Sequence, residues 1–172
     1  SLDSKFEADI VRSLGIIYKE GHLEKGEKPV HWCQDCGSSL AEAEVEYIDK
    51  ISRSVDVAFK VDHESLKNLQ DTFDDENIVD ISFVIWTTTP WTLPSNVAVC
   101  INPDIQYSLI SMNEKYYVIA SEMVDQCMER WNTKCKKIST VMGNKLREIE
   151  LLHPFINRKS VLLHGDHVTT ET

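Results

Sequence analysis

The chain has 172 residues, of which 42% are hydrophobic and 27% charged, and its 18 Lys and Arg against 28 Asp and Glu give a formal charge of −10. These figures exclude a disordered chain and a long two-domain enzyme, and leave one compact domain or one domain with a small appendage. They also exclude a protein that coats nucleic acid nonspecifically, since that takes many Lys and Arg contacts with phosphate, but not a pocket that receives one strand end.

Taken in order, the first element is an amphipathic helix over residues 4–20. Ser4 and Glu7 have the spacing of a capping box, Phe6, Ile10, Leu14 and Ile17 recur at helical intervals, and Gly21 ends the run. The stretch GHLEKGEKPVHWCQDCGSSL that follows is too irregular for a helix and reads as an appendage built on a knuckle. From residue 44 the pattern turns mostly to strand. Val55, Val57, Phe59 and Val61 alternate, then Ile81, Phe83 and Ile85, then Val97, Val99 and Ile101. A hairpin is expected across the tip MNEK, between Leu109 to Ser111 and Tyr116 to Ala120, and a last strand from Val161 to Val168, interrupted at Gly165. Short helices are expected at 64–73 and at 121–131, the second capped by Ser121. The fold class is therefore α+β. A connecting helix and Cys-pair knuckle (1–43) lead into a β-rich, barrel-like body with short helices (44–172).

No apolar run approaches the roughly 18 residues that span a bilayer, and the opening SLDSKFEADIV lacks the basic-then-apolar order of a signal peptide. A soluble cytoplasmic protein with no membrane partner is expected. The five cysteines point the same way, because only Cys33 and Cys36 are closely spaced and a secreted disulfide framework would need more pairs. Cys100, Cys127 and Cys135 read as small buried thiols.

Three segments carry chemistry. Cys33-Gln34-Asp35-Cys36-Gly37 has the spacing of a metal knuckle, and zinc takes four tetrahedral ligands, so the pair is half of a structural site whose partners lie outside the chain. Completion by His22 or His31, and the absence of any metal, are the alternatives. WTTTPWTLPSN at 86–96 is the least generic segment: prolines stiffen it, hydroxyls offer donor and acceptor together, and Asn96 adds a carbonyl and an amide. It is either a pocket wall or an edge strand ending in a proline turn. His164-Gly165-Asp166-His167 gathers ionisable groups around a glycine, with a loop built on an Asp turn as the plainer possibility. His153-Pro154-Phe155 reads as a turn in which His153 is free or capping.

KPVHWCQDCGSSLAEAEVEY at 28–47, WTTTPWTLPSN at 86–96, HPF at 153–155 and GDHVT at 165–169 together resemble the isoleucyl-tRNA synthetases, in the editing domain inserted into those class I enzymes. The valyl and leucyl enzymes would call for Arg-Pro after the threonines, and Thr89-Pro90-Trp91 favours the isoleucyl type. The resemblance implies a part of an enzyme that charges tRNA-Ile with isoleucine, ATP and Mg belonging to its catalytic domain. A pocket that selects amino acids by hydrophobic fit discriminates by only about 1–3 kcal/mol per methylene, so valine enters and a second site must hydrolyse valyl-tRNA-Ile.

By resemblance, Thr87, Thr88, Thr89 and Asn96 line that second site, with Trp91 and Thr92 as supporting wall. The substrate is the 3′ end of valine-mischarged tRNA-Ile, and the partner is the rest of the parent synthetase. Cys33 and Cys36 would be the half site for zinc. The family's ammonium-binding Asp and second ligand pair fall after Thr172, so the chain is expected to be a C-terminally truncated portion of the editing domain, inactive alone. A zinc-knuckle module that grips tRNA or protein without chemistry is the alternative function.

Overall fold

The computed structural model describes residues 3–170. It divides into two compact units, Ser1–Lys50 and Ile51–Thr172.

In the first unit, α1 spans Ser4–Lys19. The capping box expected from Ser4 does not form. Asp3 takes the cap position and accepts the Lys5 N–H at 2.9 Å, a charged acceptor where the amide dipoles converge. None of the helix's residues is buried, and Phe6, Ile10, Leu14 and Ile17 share one stripe along it. Two short strands, β1 (His31–Cys33) and β2 (Ser38–Leu40), pair antiparallel with Cys33 opposite Ser38.

The second unit runs β3 (Val55–Val61), α2 (His63–Phe73), β4 (Ile81–Thr87), a 3-10 turn (Pro90–Ser95), β5 (Ala98–Ile101), β6 (Gln106–Met112) and β7 (Lys115–Ala120). Then come α3 (Val124–Arg130), β8 (Lys136–Met142), β9 (Glu150–Leu152) and β10 (Lys159–His164). The strands form one mixed sheet in the order β5-β10-β9-β3-β4-β7-β6-β8, parallel at β5-β10 and β4-β7 and antiparallel elsewhere.

This sheet is rolled. In a flat sheet β5 and β6, six places apart in the order, would lie roughly 29 Å from each other at about 4.8 Å per strand. The link between Ile101 and Gln106 reaches at most about 18 Å. The Asn102 N–H donates to the Tyr107 hydroxyl at 3.0 Å, and Gly143 and Asn144 donate to Ile105 and Pro103 carbonyls at 2.8 and 2.9 Å. These bonds bring the end of β8 against the β5-β6 link, although β5 and β8 share no ladder among the described residues.

All eight strands of the sheet contribute to one apolar core, which includes Phe59, Ile81, Leu109, Val118 and Leu151 with Leu69 and Phe73 from α2. A smaller cluster of Ile110, Ile119, Val124 and Cys127 seats α3 on the other face of β6 and β7. The cap expected from Ser121 does not form: Ser121 Oγ instead lies 2.7 Å from the fully buried Ser108 Oγ, and α3 begins after an intervening 3-10 turn. The last strand also stops earlier than its apolar pattern suggested. It ends at His164, where the Gly165 N–H turns to Ile101 O at 2.9 Å and residues 166–167 form a turn closed by the Val168 N–H on Gly165 O. No helix among the described residues is long and apolar enough to cross a membrane.

Candidate functional site: a threonine turn held by a hairpin

Strand β4 delivers the threonines. Ile81, Phe83 and Ile85 alternate into the core, and Thr87 continues that face at the strand's end, opposite Val55 of β3. Pro90 then starts the 3-10 turn, at the helical position where a missing N–H is tolerated. Thr87 Oγ1 accepts the Thr89 N–H at 3.0 Å and lies 3.2 Å from Thr89 Oγ1. Whichever hydroxyl donates within this pair, the other keeps its proton for a ligand. Thr88, between them, is half-buried. Thr92, inside the turn, donates from Oγ1 back to Thr89 O at 2.8 Å, and Trp91 stands 74% exposed.

Asn96 is engaged at both ends of its amide. Nδ2 donates to Ala98 O at 2.8 Å and Oδ1 accepts from Ser160 Oγ at 2.9 Å. Thr87, Thr88 and Thr89 are thus grouped on one turn, whereas the side chain of Asn96 fastens that turn to β10.

Other bonds to the turn come from residues that sequence reasoning did not select. His153, expected to be free or capping, is 5% exposed. Its Nδ1 accepts the Ile156 N–H at 3.1 Å, so the proton sits on Nε2, which donates to Leu93 O at 2.7 Å. Arg158 Nη2 donates to Pro94 O at 2.9 Å and to Asn96 O. The motif HPF marked the place, but burial of its histidine depends on a carbonyl sixty residues away in sequence.

A cavity of about 250 Å³ opens beside this strand, lined in part by Ile85, Trp86, Val99, Cys100, Val168 and Thr169. It reaches Trp86, the neighbour of Thr87, but not the threonines themselves. Asp166 and His167 are exposed, and the backbone around them is held by Asn102, whose Nδ2 donates to Val168 O at 2.8 Å. The His167 ring folds over Gly165, where an added Cβ would lie 2.5 Å from it.

In the first unit the Cys36 N–H donates to Cys33 Sγ at 3.3 Å, and Gly37 takes φ +63° to close the turn. Hydrogen bonding from Cys36, backbone first, holds the Cys33 thiol below its ordinary pKa. The turn therefore favours thiolate, the form that binds zinc. Neither His22 nor His31 joins the two cysteines within ligand distance among the described residues. The one gathering of three donor groups there is Asp62, Glu64 and Glu150, and Lys159 Nζ occupies it at 2.5, 2.8 and 2.7 Å.

Residues 1–150 match the family profile described as tRNA synthetases class I (I, L, M and V). The chain belongs to the class I tRNA synthetases. It is 46% identical over 172 residues to the isoleucine–tRNA ligase of Thioalkalivibrio sulfidiphilus, covering 99% of this chain and 18% of the relative. The synthetase segment thus spans about a fifth of the length of the curated relatives it matches. Its fold is similar to the solved structure titled GlLeuRS-CP1, with TM-score 0.60 at 12% identity over 70% of this chain and 52% of the other. It is similar also to the editing domain of the P. falciparum cytosolic leucyl-tRNA synthetase, with TM-score 0.54 at 12% identity over 70% of this chain and 59% of that one. The mixed α+β body with its large sheet is the fold of such synthetase domains.

Proposed function

We propose that this segment forms part of the editing site of an isoleucyl-tRNA synthetase and acts in the hydrolysis of valyl-tRNA-Ile. The observation that carries the proposal is the Thr87–Thr89 pair on a rigid turn, 3.2 Å between hydroxyl oxygens, with Thr88 between them. In the reaction a water oxygen bonds to the ester carbonyl carbon, the carbon–oxygen bond to the terminal ribose breaks, and the water's proton passes to the ribose oxygen. Valine and tRNA-Ile leave.

The threonines orient the water and the ribose, and the hydroxyl proton left free in the Thr87–Thr89 pair can donate to the carbonyl oxygen as negative charge develops there. Their methyl groups limit the side chain that fits, so that isoleucine is refused. Trp91 and Thr92 support the wall. The remainder of the synthetase supplies most of the tRNA contacts, which agrees with the acidic balance of this segment, and its catalytic domain uses ATP and Mg to charge tRNA-Ile. Cys33 and Cys36 would hold a structural zinc together with ligands from outside this chain.

Thr88→Ala combined with Thr89→Ala in the full-length enzyme tests the assignment. Valyl-tRNA-Ile accumulates while isoleucine charging continues. Equal deacylation by variant and wild type would remove the threonines from the site, and a joint decline of charging and deacylation would favour a tRNA-gripping role.

A further inference from the structure

We infer that His153 and Arg158 are positioning residues for this hydrolysis, acting through the threonine turn; the inference rests on the function proposed above. Within the turn the Thr89 N–H bonds to Thr87 Oγ1 and the Thr92 N–H and hydroxyl to Thr89 O, but none of these bonds reaches another strand. Thr88 and Thr89 lie beyond the β3-β4 ladder, whose last pair is Thr87 with Val55, and Pro90 and Pro94 have no N–H to donate. Its carbonyls are gathered instead by the hairpin that joins β9 to β10. Leu93 O receives His153 Nε2, Pro94 O and Asn96 O receive the Arg158 guanidinium, and Asn96 Oδ1 receives the buried Ser160 hydroxyl.

The clamp is itself fixed. The His153 ring stands edge-on to Phe155 at 4.7 Å and to Phe59 at 6.1 Å, and the Ile156 N–H at its Nδ1 sets its tautomer. The His153 N–H closes the hairpin onto Arg158 O at 2.9 Å. The partners of His153 and Arg158 on the turn are Leu93, Pro94 and Asn96 rather than Thr87, Thr88 or Thr89. Both set where the turn, and with it the threonine hydroxyls, stands relative to the end of β4. A displacement of about 1 Å at such a site costs on the order of 10²-fold in rate.

The experiment uses the full-length synthetase. His153→Asn retains an acceptor near the Nδ1 position for Ile156 but falls short of Leu93, whereas the longer amide of His153→Gln can reach Leu93 O. Expected for His153→Asn is a fall of about 10–100-fold in kcat for valyl-tRNA hydrolysis with KM within about twofold, while His153→Gln stays within about threefold of wild type. Isoleucine charging stays at the wild-type value in both. Arg158→Met gives the same loss confined to kcat.

Thr88→Ala with Thr89→Ala is the control. If that variant hydrolyses at the wild-type rate, the function proposed for the site fails. If it is inactive while His153→Asn keeps full kcat, the positioning role is overturned and the site stands. If the Asn and Gln variants fall together, His153 only packs the hairpin and the positioning role is again overturned.

Discussion

Asp56 and Arg130 form a two-pronged ion pair, Oδ2 with Nε and Oδ1 with Nη2, each at 2.8 Å. The Trp131 indole N–H adds a third donor to Oδ2 at 2.7 Å. Asp56 stands opposite Trp86 in the β3-β4 ladder, one residue before Thr87, so the pair ties the end of α3 to the strands that carry the threonines. The hydrogen bonds to Asp56 raise the pKa of the Arg130 guanidinium, which stays charged at every pH of interest.

Arg130→Met removes two of the three donors from a carboxylate whose side chain is only 12% exposed. The expected loss is about 2–3 kcal/mol, from leaving a charged acceptor poorly paired. Thermal or urea unfolding of the variant against wild type measures it, and unchanged stability would mean that water replaces the guanidinium without cost.

Lys159 gives a pH dependence with a definite sign. Its contacts with Asp62, Glu150 and Glu64 raise its pKa, and in return Lys159 holds the Asp62 carboxyl below the usual carboxylate range. A depressed carboxylate contributes stability that is present above its unfolded pKa and lost as pH falls through the folded one; a raised lysine contributes below its own unfolded pKa. Both contributions are in force between about pH 5 and 9. Lys159→Met leaves three carboxylates facing one another. Its thermal midpoint is therefore expected to lie below wild type at pH 7, with the gap closing below about pH 4 as the carboxylates protonate. A gap independent of pH would assign the effect to packing of the lysine stem.

The cysteines should separate by reactivity. Cys33 has its pKa lowered by the Cys36 N–H, whereas burial pushes the Cys127 thiol up, against a smaller opposing effect of Arg130. Iodoacetamide at neutral pH, followed by mass spectrometry, is expected to label Cys33 well before Cys127. Zinc added to the full-length enzyme should slow labelling of Cys33 and Cys36 alone. Uniform protection, or none, would count against a metal at the knuckle.

The strands were legible because each buries one face, and period-two alternation at Val55 to Val61 and Ile81 to Ile85 writes that burial directly into the chain. The threonine turn was legible from its prolines. Strand order was not, because no local pattern encodes that β5 pairs in parallel with β10, sixty residues on. Ser121 misled for a related reason: a serine before a helical run is a sound cap locally, but a buried serine on β6 competes for its hydroxyl. The capping box failed by a single residue, with Asp3 ahead of Ser4. His153 and Arg158 were invisible beforehand because they donate to the carbonyls of a distant turn, and a carbonyl carries no sequence signature.

The rolled order of the sheet bears on the time at which the site comes into being. As the chain leaves the ribosome, β3 and β4 can close on each other early, both strands being separated only by α2. The carbonyls of Leu93, Pro94 and Asn96 must wait for His153, Arg158 and Ser160, and β5 waits for Val161 to His164 before it has any ladder at all. Pairings of such sequence separation form late and slowly. Thr87 can therefore join the β3-β4 ladder early, whereas the turn from Thr88 to Ser95 gains its hold on the rest of the sheet only once the β9-β10 hairpin has been made.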